Sequence, residues 1–302
     1  MLKTIVVGVD GREGGRDALS LAGRLALIAG GDVVAVRALP FDYYVSRAGS
    51  PPYASIAEQD AKRQLTDELA RAGMTARMLV VGDSSPARAL HRVAEQEHAD
   101  VIVVGSTHHS RLGRVFAGDD AAATLHASPC PVAVAPRGLA GREWKTAERI
   151  GVGFDGRPEA RQALSLAVAL AEDCGASITV QSVVATPIPY ADFSAYDTDW
   201  LKRAQQFASA DLAEALADVP VEASGDVVAG VPVDELKRLS RDVDLLVLGS
   251  RAWGPVRRTV IGSTAAKLMR SSHCPVVVLP RGAATGQPGE QDLAEREAPA
   301  TT

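Results

Sequence analysis

The chain has 302 residues, of which 46% are hydrophobic and 23% charged, proportions that are typical of globular proteins and exclude collagen, coiled coils and wholesale disorder. A net charge of −5 and an aromatic content of 4% argue against nonspecific nucleic-acid binding and against base-stacking platforms. No apolar stretch reaches the roughly 18 residues that span a bilayer, and the N-terminus has no signal-peptide pattern, so a cytoplasmic protein without membrane contact is predicted.

Followed from the N-terminus, apolar runs alternate with helical patterns. The runs VIVVG and PVAVA are continuous and rich in valine, which is typical of a parallel sheet that is buried on both faces. Five strands alternating with four helices predict a doubly wound α/β domain. The predicted strands are 3–9, 32–39, 76–82, 100–105 and 131–135, and the predicted helices are 14–29, 55–72, 86–97 and 118–127.

The second half of the chain repeats the first. KTIVVGVDG, which begins at Lys3, matches ERIGVGFDG, and DVIVVGS, which begins at Asp100, matches DLLVLGS, with offsets of 145 and 144 residues. An offset held so closely over a domain length indicates two copies of one domain. The predicted units are a first repeat at 1–138, a second repeat at 148–281 and a disordered tail at 282–302, which is rich in Gly, Pro, Ala, Thr and Glu.

An aspartate follows the first strand of each repeat, Asp10 in the first and Asp155 in the second. Ligands of open α/β sheets bind at the carboxyl ends of strands where the winding order reverses, and an acid placed there can accept hydrogen bonds from ribose hydroxyls. The alternative is a purely structural role, because Asp-Gly is also a common turn signal.

A glycine-rich segment follows the fourth strand. In the second repeat it reads GSRAWGPVRRTVIGST, from Gly249 to Thr264, and leads into a helix predicted at 262–271. Gly249 would allow close approach of the backbone to a ligand, and Gly262 and the hydroxyl pair after it would donate hydrogen bonds to phosphate at a helix N-terminus. Arg251, with Arg257 and Arg258, would supply positive charge, although glycines of this kind also mark ordinary turns.

These motifs resemble the universal stress proteins in their tandem form, over about residues 3–137 and 149–281. ATP-binding members of that family have Gly-x2-Gly-x9-Gly-(Ser/Thr) at this segment and an aspartate at the end of the first strand. The second repeat is similar, because it has the pattern Gly249-x2-Ala252-x9-Gly262-Ser263. Its one departure is Ala252 in place of the second glycine.

The first repeat departs further from the family pattern. It has Gly105-x2-His108-x9-Gly118-Asp119, followed by Asp120. Two acids therefore stand where the second repeat has the hydroxyl pair Ser263-Thr264, and like charges repel a phosphate. Binding by the second repeat is predicted to dominate.

The resemblance implies a Rossmann-like sheet of strand order 3-2-1-4-5 in each repeat. It also implies that the fifth strands, 132–136 and 276–280, pair across a two-fold axis within the chain as an intrachain pseudo-dimer. Val132 and Val276 are suitable β-branched residues for such a pair. A homodimer of whole chains is left open.

The function implied by the resemblance is that of an ATP-binding stress-response regulator. ATP, with or without Mg²⁺, would bind between the first and fourth strands and act through conformation or an unidentified protein partner rather than turnover. Two alternatives stay open: a slow ATPase, and a nucleotide-free interaction protein with decayed loops. The sequence has no GxSxG, HExxH or GxxxxGK[ST] motif, so no catalytic residue is assigned.

Candidate metal ligands are few. The three cysteines, Cys130, Cys174 and Cys274, have no CxxC spacing, and the first and last precede valine strands as small buried residues would. The pair His108-His109 has no carboxylate or cysteine at ligand spacing and is interpreted as an exposed loop pair. No metal site is predicted from these residues.

Overall fold

The computed structural model describes residues 2–39, 51–106, 119–143, 146–186, 198–250 and 262–280. The predicted tail at 282–302 lies outside this part of the chain. The strands are β1 (Thr4–Gly8), β2 (Asp32–Leu39), β3 (Arg77–Gly82), β4 (Val101–Gly105), β5 (Val132–Ala135), β6 (Arg149–Phe154), β7 (Ser177–Ala185), β8 (Ala223–Gly230), β9 (Leu245–Gly249) and β10 (Val276–Leu279). The helices are α1 (Glu13–Ala29), α2 (Pro51–Ala72), α3 (Pro86–Gln96), α4 (Asp119–Leu125), α5 (Pro158–Cys174), α6 (Thr198–Leu216), α7 (Pro232–Leu239) and α8 (Ser263–Leu268), with a 3₁₀ turn at Leu139–Gly141.

All ten strands form one sheet, in the order β3-β2-β1-β4-β5-β10-β9-β6-β7-β8. Each repeat contributes five parallel strands in the predicted order 3-2-1-4-5, which confirms the doubly wound α/β fold. The reversal of winding lies between β1 and β4 in the first repeat and between β6 and β9 in the second. Each repeat therefore has a crevice at the carboxyl ends of those two strands.

The two halves of the sheet meet at an antiparallel pair between β5 and β10. Val134 lies opposite Val276, Ala133 opposite Val277, and Val132 opposite Val278. All residues of both strands are buried. The predicted pairing of the fifth strands within one chain is confirmed, and the repeats form an intrachain pseudo-dimer.

Two apolar layers cover the two faces of this sheet, and each layer runs through both repeats. On one face, Leu19 of α1 and Leu164 of α5 belong to a single cluster of buried side chains. On the other face, Leu90 of α3 and Leu236 of α7 do the same. The helices cover the sheet on both sides, which explains why its central strands read as apolar runs rich in valine and leucine.

The chain between the repeats is held against α1. The buried carboxylate of Asp17 accepts hydrogen bonds from the backbone N–H groups of Gly138 and Ala140, both at 2.8 Å. Arg24 Nη2 donates to the carbonyl oxygen of Leu139 at 3.3 Å, and the Leu139 side chain is buried in the core. Burial raises the pKa of Asp17, although the two N–H donors act in the opposite direction. The chain that connects the two repeats therefore begins as an ordered turn.

The two cysteines that precede the fifth strands are buried, as predicted. Burial raises the pKa of both Cys130 and Cys274 to about 12, so these thiols stay protonated at neutral pH. In each repeat a serine two residues earlier, Ser128 or Ser272, donates its hydroxyl to the cysteine carbonyl oxygen.

The described helices include none with the length and apolar character that a membrane span requires.

Candidate functional site

Each crevice contains a cavity at the carboxyl ends of the strands where the winding reverses. The cavity of the second repeat has a volume of about 210 Å³, and that of the first repeat about 380 Å³. In the second repeat, five of the predicted site residues line one cavity: Asp155, Gly249, Gly262, Ser263 and Thr264. In the first repeat, the cavity is lined by the predicted residues Asp10 and Gly105.

The aspartates at the strand ends hold a tight turn. Asp10 Oδ1 accepts a hydrogen bond from the backbone N–H of Arg12 at 2.9 Å, and Asp155 Oδ1 accepts one from Arg157 at 3.3 Å. The glycine after each aspartate has a φ of +74°, a left-handed conformation that favours glycine. The turn interpretation is therefore confirmed. It is compatible with ligand binding, because both aspartates also line their cavities.

The glycines that end β4 and β9 lie against the first turns of α1 and α5. A Cβ on Gly249 would lie 2.6 Å from the backbone of Glu159, and one on Gly105 would lie 1.9 Å from the carbonyl oxygen of Gly14. These distances are shorter than real Cβ contacts allow. The requirement for glycine comes from helix–strand packing, a different reason from the close approach of a ligand that the sequence suggested.

Ser250 fixes the start of α8. Its side chain is 1% exposed, and its Oγ accepts a hydrogen bond from the backbone N–H of Gly262 at 3.2 Å. That N–H is therefore engaged within the protein, and Gly262 stays a predicted site residue through its place in the cavity lining. Among the described residues, Ser263 and Thr264 also line this side of the cavity, and their N–H and hydroxyl groups are further candidate donors.

The helix that follows is shorter than predicted. The sequence predicts a helix over 262–271, whereas α8 has six residues. Its C-terminal end tightens into turns, because Arg270 and Ser271 donate to the carbonyl oxygens three residues before them. A helix of this length sums few peptide dipoles, so an anion at its start would be held mainly by individual hydrogen-bond donors.

Several predicted residues lie outside the described part of the chain. They are Arg251 and Ala252 of the second repeat and Gly118 of the first, together with His108. The charged side chains that line the described parts of the two cavities differ in sign. The second repeat has two acids and one arginine, and the first repeat has one acid and two arginines. This local balance favours an anion in the first repeat and opposes the ranking predicted from its Asp119-Asp120 pair.

Two stretches of the chain, residues 1–136 and 146–280, match the model of the universal stress protein family. The chain belongs to that family. Because the two matches coincide with the two halves of the ten-stranded sheet, it is a tandem universal stress protein.

Curated relatives carry the same family name. Universal stress protein Rv2005c of Mycobacterium tuberculosis is 29% identical over 191 residues, which cover 60% of this chain and 61% of the relative. Universal stress protein Rv2319c of the same organism is 30% identical over 204 residues, which cover 62% and 66% of the two chains. The matched region thus spans less than two thirds of the length of these relatives.

Solved structures share the whole architecture. A universal stress protein from Archaeoglobus fulgidus superposes with a TM-score of 0.63 at 19% identity, covering 92% of this chain and 98% of that one. A protein described as a putative universal stress protein from Pseudomonas aeruginosa gives 0.62 at 20% identity, covering 92% and 94%. At these identities the likeness shows the fold alone.

Several residues that line the cavities of this universal stress protein were missed by the motif search. Glu159 and Gln181 line the cavity of the second repeat, and Arg37 lines that of the first. None of them belongs to a glycine motif. Gln181 could have been found by placing the repeats in register, because β6 pairs Gly153 with Gln181 where β1 pairs Gly8 with Val36.

Proposed function

We propose that this universal stress protein binds ATP in the second-repeat cavity and acts as a regulator in the cytoplasm, through conformation or a protein partner. One observation carries the proposal. The cavity between β6 and β9 is lined both by the aspartate of the Asp-Gly turn and by Gly262, Ser263 and Thr264, the residues that end the glycine-rich segment. These are the residue types that the family resemblance assigns to ATP.

The lining divides into parts that suit the parts of a nucleotide. Val183, Leu236 and Leu248 form an apolar wall that would cover one face of a base. Asp155 would accept hydrogen bonds from the ribose hydroxyls. The hydroxyls of the pair at the start of α8 would donate to phosphate oxygens.

We include Mg²⁺ in the proposal because of the charge balance of the cavity. Asp155 and Glu159 both line it, and the cation among its described lining residues is Arg157, whose Nε lies 3.8 Å from Asp155 Oδ2. Mg²⁺ is commonly bound through one or two carboxylates and the phosphates of the substrate. A bound Mg²⁺ would supply positive charge between these acids and the triphosphate.

Binding is favoured over turnover by the side chains present. The described lining of the second-repeat cavity contains no lysine and no histidine. Phosphoryl-transfer sites commonly place a lysine on the phosphates and a residue that orients the nucleophile. Slow hydrolysis of bound ATP is the alternative, and single-turnover measurements on the purified complex separate the two.

The test is the substitution Gly262→Asp, compared with Gly262→Ala. The backbone at Gly262 has φ −57° and ψ 139°, which any residue can adopt, so the alanine variant serves as the steric control. The aspartate adds a charge beside the phosphates, and like charges at about 4 Å repel by about 1 kcal/mol in water and more in a cleft. ATP affinity measured by calorimetry should fall about tenfold or more in the aspartate variant only.

The same titrations are run with Mg²⁺ and with EDTA, and weaker binding in EDTA is expected. Gly118→Asp, the counterpart in the first repeat, is the matched control and should leave the tighter binding event intact. If folded Gly262→Asp protein binds ATP as tightly as the unsubstituted chain, ATP does not bind at this segment.

A further inference from the structure

Gln181 places an amide on an otherwise apolar wall. It lies on β7 beside Gly153 of β6, in the position that Val36 occupies beside Gly8 in the first repeat. Val36 is 1% exposed and belongs to the core cluster of that face. The two repeats therefore differ here by the exchange of a core valine for a polar side chain that lines the cavity.

Among the described residues, the amide oxygen of Gln181 has no hydrogen-bond partner. Oε1 is buried and accepts no hydrogen bond from the described residues. The nearby side chains of Leu236 and Leu248, which a Cβ on the neighbouring Gly153 would meet, carry no hydrogen-bond donor. A buried carbonyl without a donor is unfavourable, and such a group in a folded protein calls for an explanation.

We propose that Gln181 reads the base of the nucleotide and selects adenine through its 6-amino group. This inference rests on the proposed function. A carbonyl oxygen needs an N–H donor, and the amino group of adenine is one. A glutamine amide can also donate to a ring nitrogen of the same base, the two-bond arrangement by which glutamine reads adenine in nucleic acids. Because the wall around Gln181 is apolar, a flat base fits beside it better than a phosphate does.

The two cavities should therefore differ in their specificity for the nucleotide base. The first repeat has Val36 at this place and has no amide to receive an amino group. A nucleotide bound there would not be selected by its base at this position. The exchanges Gln181→Val and Val36→Gln are therefore matched variants, each giving one repeat the residue of the other.

The experiment compares ATP with purine riboside triphosphate, which lacks the 6-amino group, by calorimetry on the full chain. The unsubstituted chain should bind ATP about threefold to tenfold more tightly, the factor expected for one net hydrogen bond. The ratio should fall to about one in Gln181→Val and in Gln181→Met, which keeps the length of the side chain. Val36→Gln should leave the ratio at the second-repeat site unchanged, and Gly262→Asp identifies the binding event that belongs to that site.

The melting temperature of the nucleotide-free protein provides a second readout. If Gln181 serves the ligand, Gln181→Val removes an unsatisfied buried group and should leave the melting temperature unchanged or raise it. A purely structural glutamine would instead lower it when replaced. ATP binding with the same ratio in Gln181→Val, or no discrimination by the unsubstituted chain, would overturn this inference and leave the proposed function standing. If neither nucleotide binds, both the inference and the proposed function are overturned.

Discussion

At the scale of single residues, the glycines that end β4 and β9 show how a sequence motif can have a structural cause. Gly249 approaches Glu159 so closely that no side chain fits between the strand and α5, and Gly105 approaches Gly14 in the same way. This packing accounts for a glycine at the same place in the first repeat, where the rest of the segment departs from the family pattern. A glycine at this place indicates the fold more strongly than it indicates a ligand.

We expect Gly249→Ala to destabilise the protein. Forcing a methyl group against backbone costs about 1–3 kcal/mol of unfolding free energy, and Gly105→Ala should cost at least as much because its contact is shorter. Urea unfolding followed by circular dichroism measures the change. Gly141→Ala is the control, since a Cβ there meets nothing within 4 Å and should change the free energy by less than about 0.5 kcal/mol. A Gly249→Ala variant as stable as this control would show that the backbone contact is easily relieved.

The site residues that could be predicted from the sequence are those that belong to recognisable motifs. Asp155, Gly249 and Ser263 were found because strand, turn and glycine spacing identify them, and all three line one cavity. Gln181 was missed because it lies inside a strand, where nothing in a single repeat marks it. The hydrogen bond from Gly262 to Ser250 was missed because it joins residues that are 12 positions apart.

At the scale of elements, the strands and most helices could be predicted from hydrophobic periodicity. β2 was predicted at 32–39 and extends over Asp32–Leu39, since continuous apolar runs bounded by turn residues define buried strands well. α2 begins at Pro51 rather than at the predicted 55, because proline is tolerated in the first turn of a helix. The length of α8 could not be predicted, because it is decided by the turns that lead into β10.

The helices α4 and α8 occupy equivalent places and begin with different residues. α4 begins with Asp119 and Asp120, whereas α8 begins with Ser263 and Thr264. Acids in a first helical turn stabilise an empty helix and repel a triphosphate. The opposite tendency comes from Arg37, with Arg12, in the described lining of the first-repeat cavity.

Replacing the acids should therefore create ATP binding in the first repeat. We expect Asp119→Ser with Asp120→Thr to raise its ATP affinity and to lower the stability of α4 slightly, and the further exchange His108→Gly to be needed for strong binding. Calorimetry on the full chain carrying Gly262→Asp isolates the first repeat. If that background already binds ATP as tightly as the second repeat does, the arginines outweigh the acids and our ranking of the repeats is wrong.

At the scale of the whole molecule, the sheet and both apolar layers continue from one repeat into the other. The pair between β5 and β10 joins the sheets, and the clusters on both faces contain side chains from both repeats. Asp17 and Arg24 also fix the connecting turn to α1. The two domains of this chain share their cores, in contrast to domains joined by a loose tether.

We expect the two repeats to unfold as one cooperative unit. A destabilising substitution in one repeat, such as Gly249→Ala, should lower the protection of core amides in both, because the shared layers are lost together. Hydrogen exchange followed by mass spectrometry reads β1 and β6 separately. Loss of protection in β6 with β1 unchanged would show that the repeats unfold independently.

The pairing of β5 with β10 should withstand dilution, because both strands belong to one chain. Two separate chains that met through such strands would lose translational and rotational freedom on association, and they would part at low concentration. Here the partner strand is covalently attached, so its effective concentration is fixed by the connecting segment and not by the amount of protein in the cell. One repeat can therefore lose ligand-binding residues and still supply the partner strand that the other repeat needs.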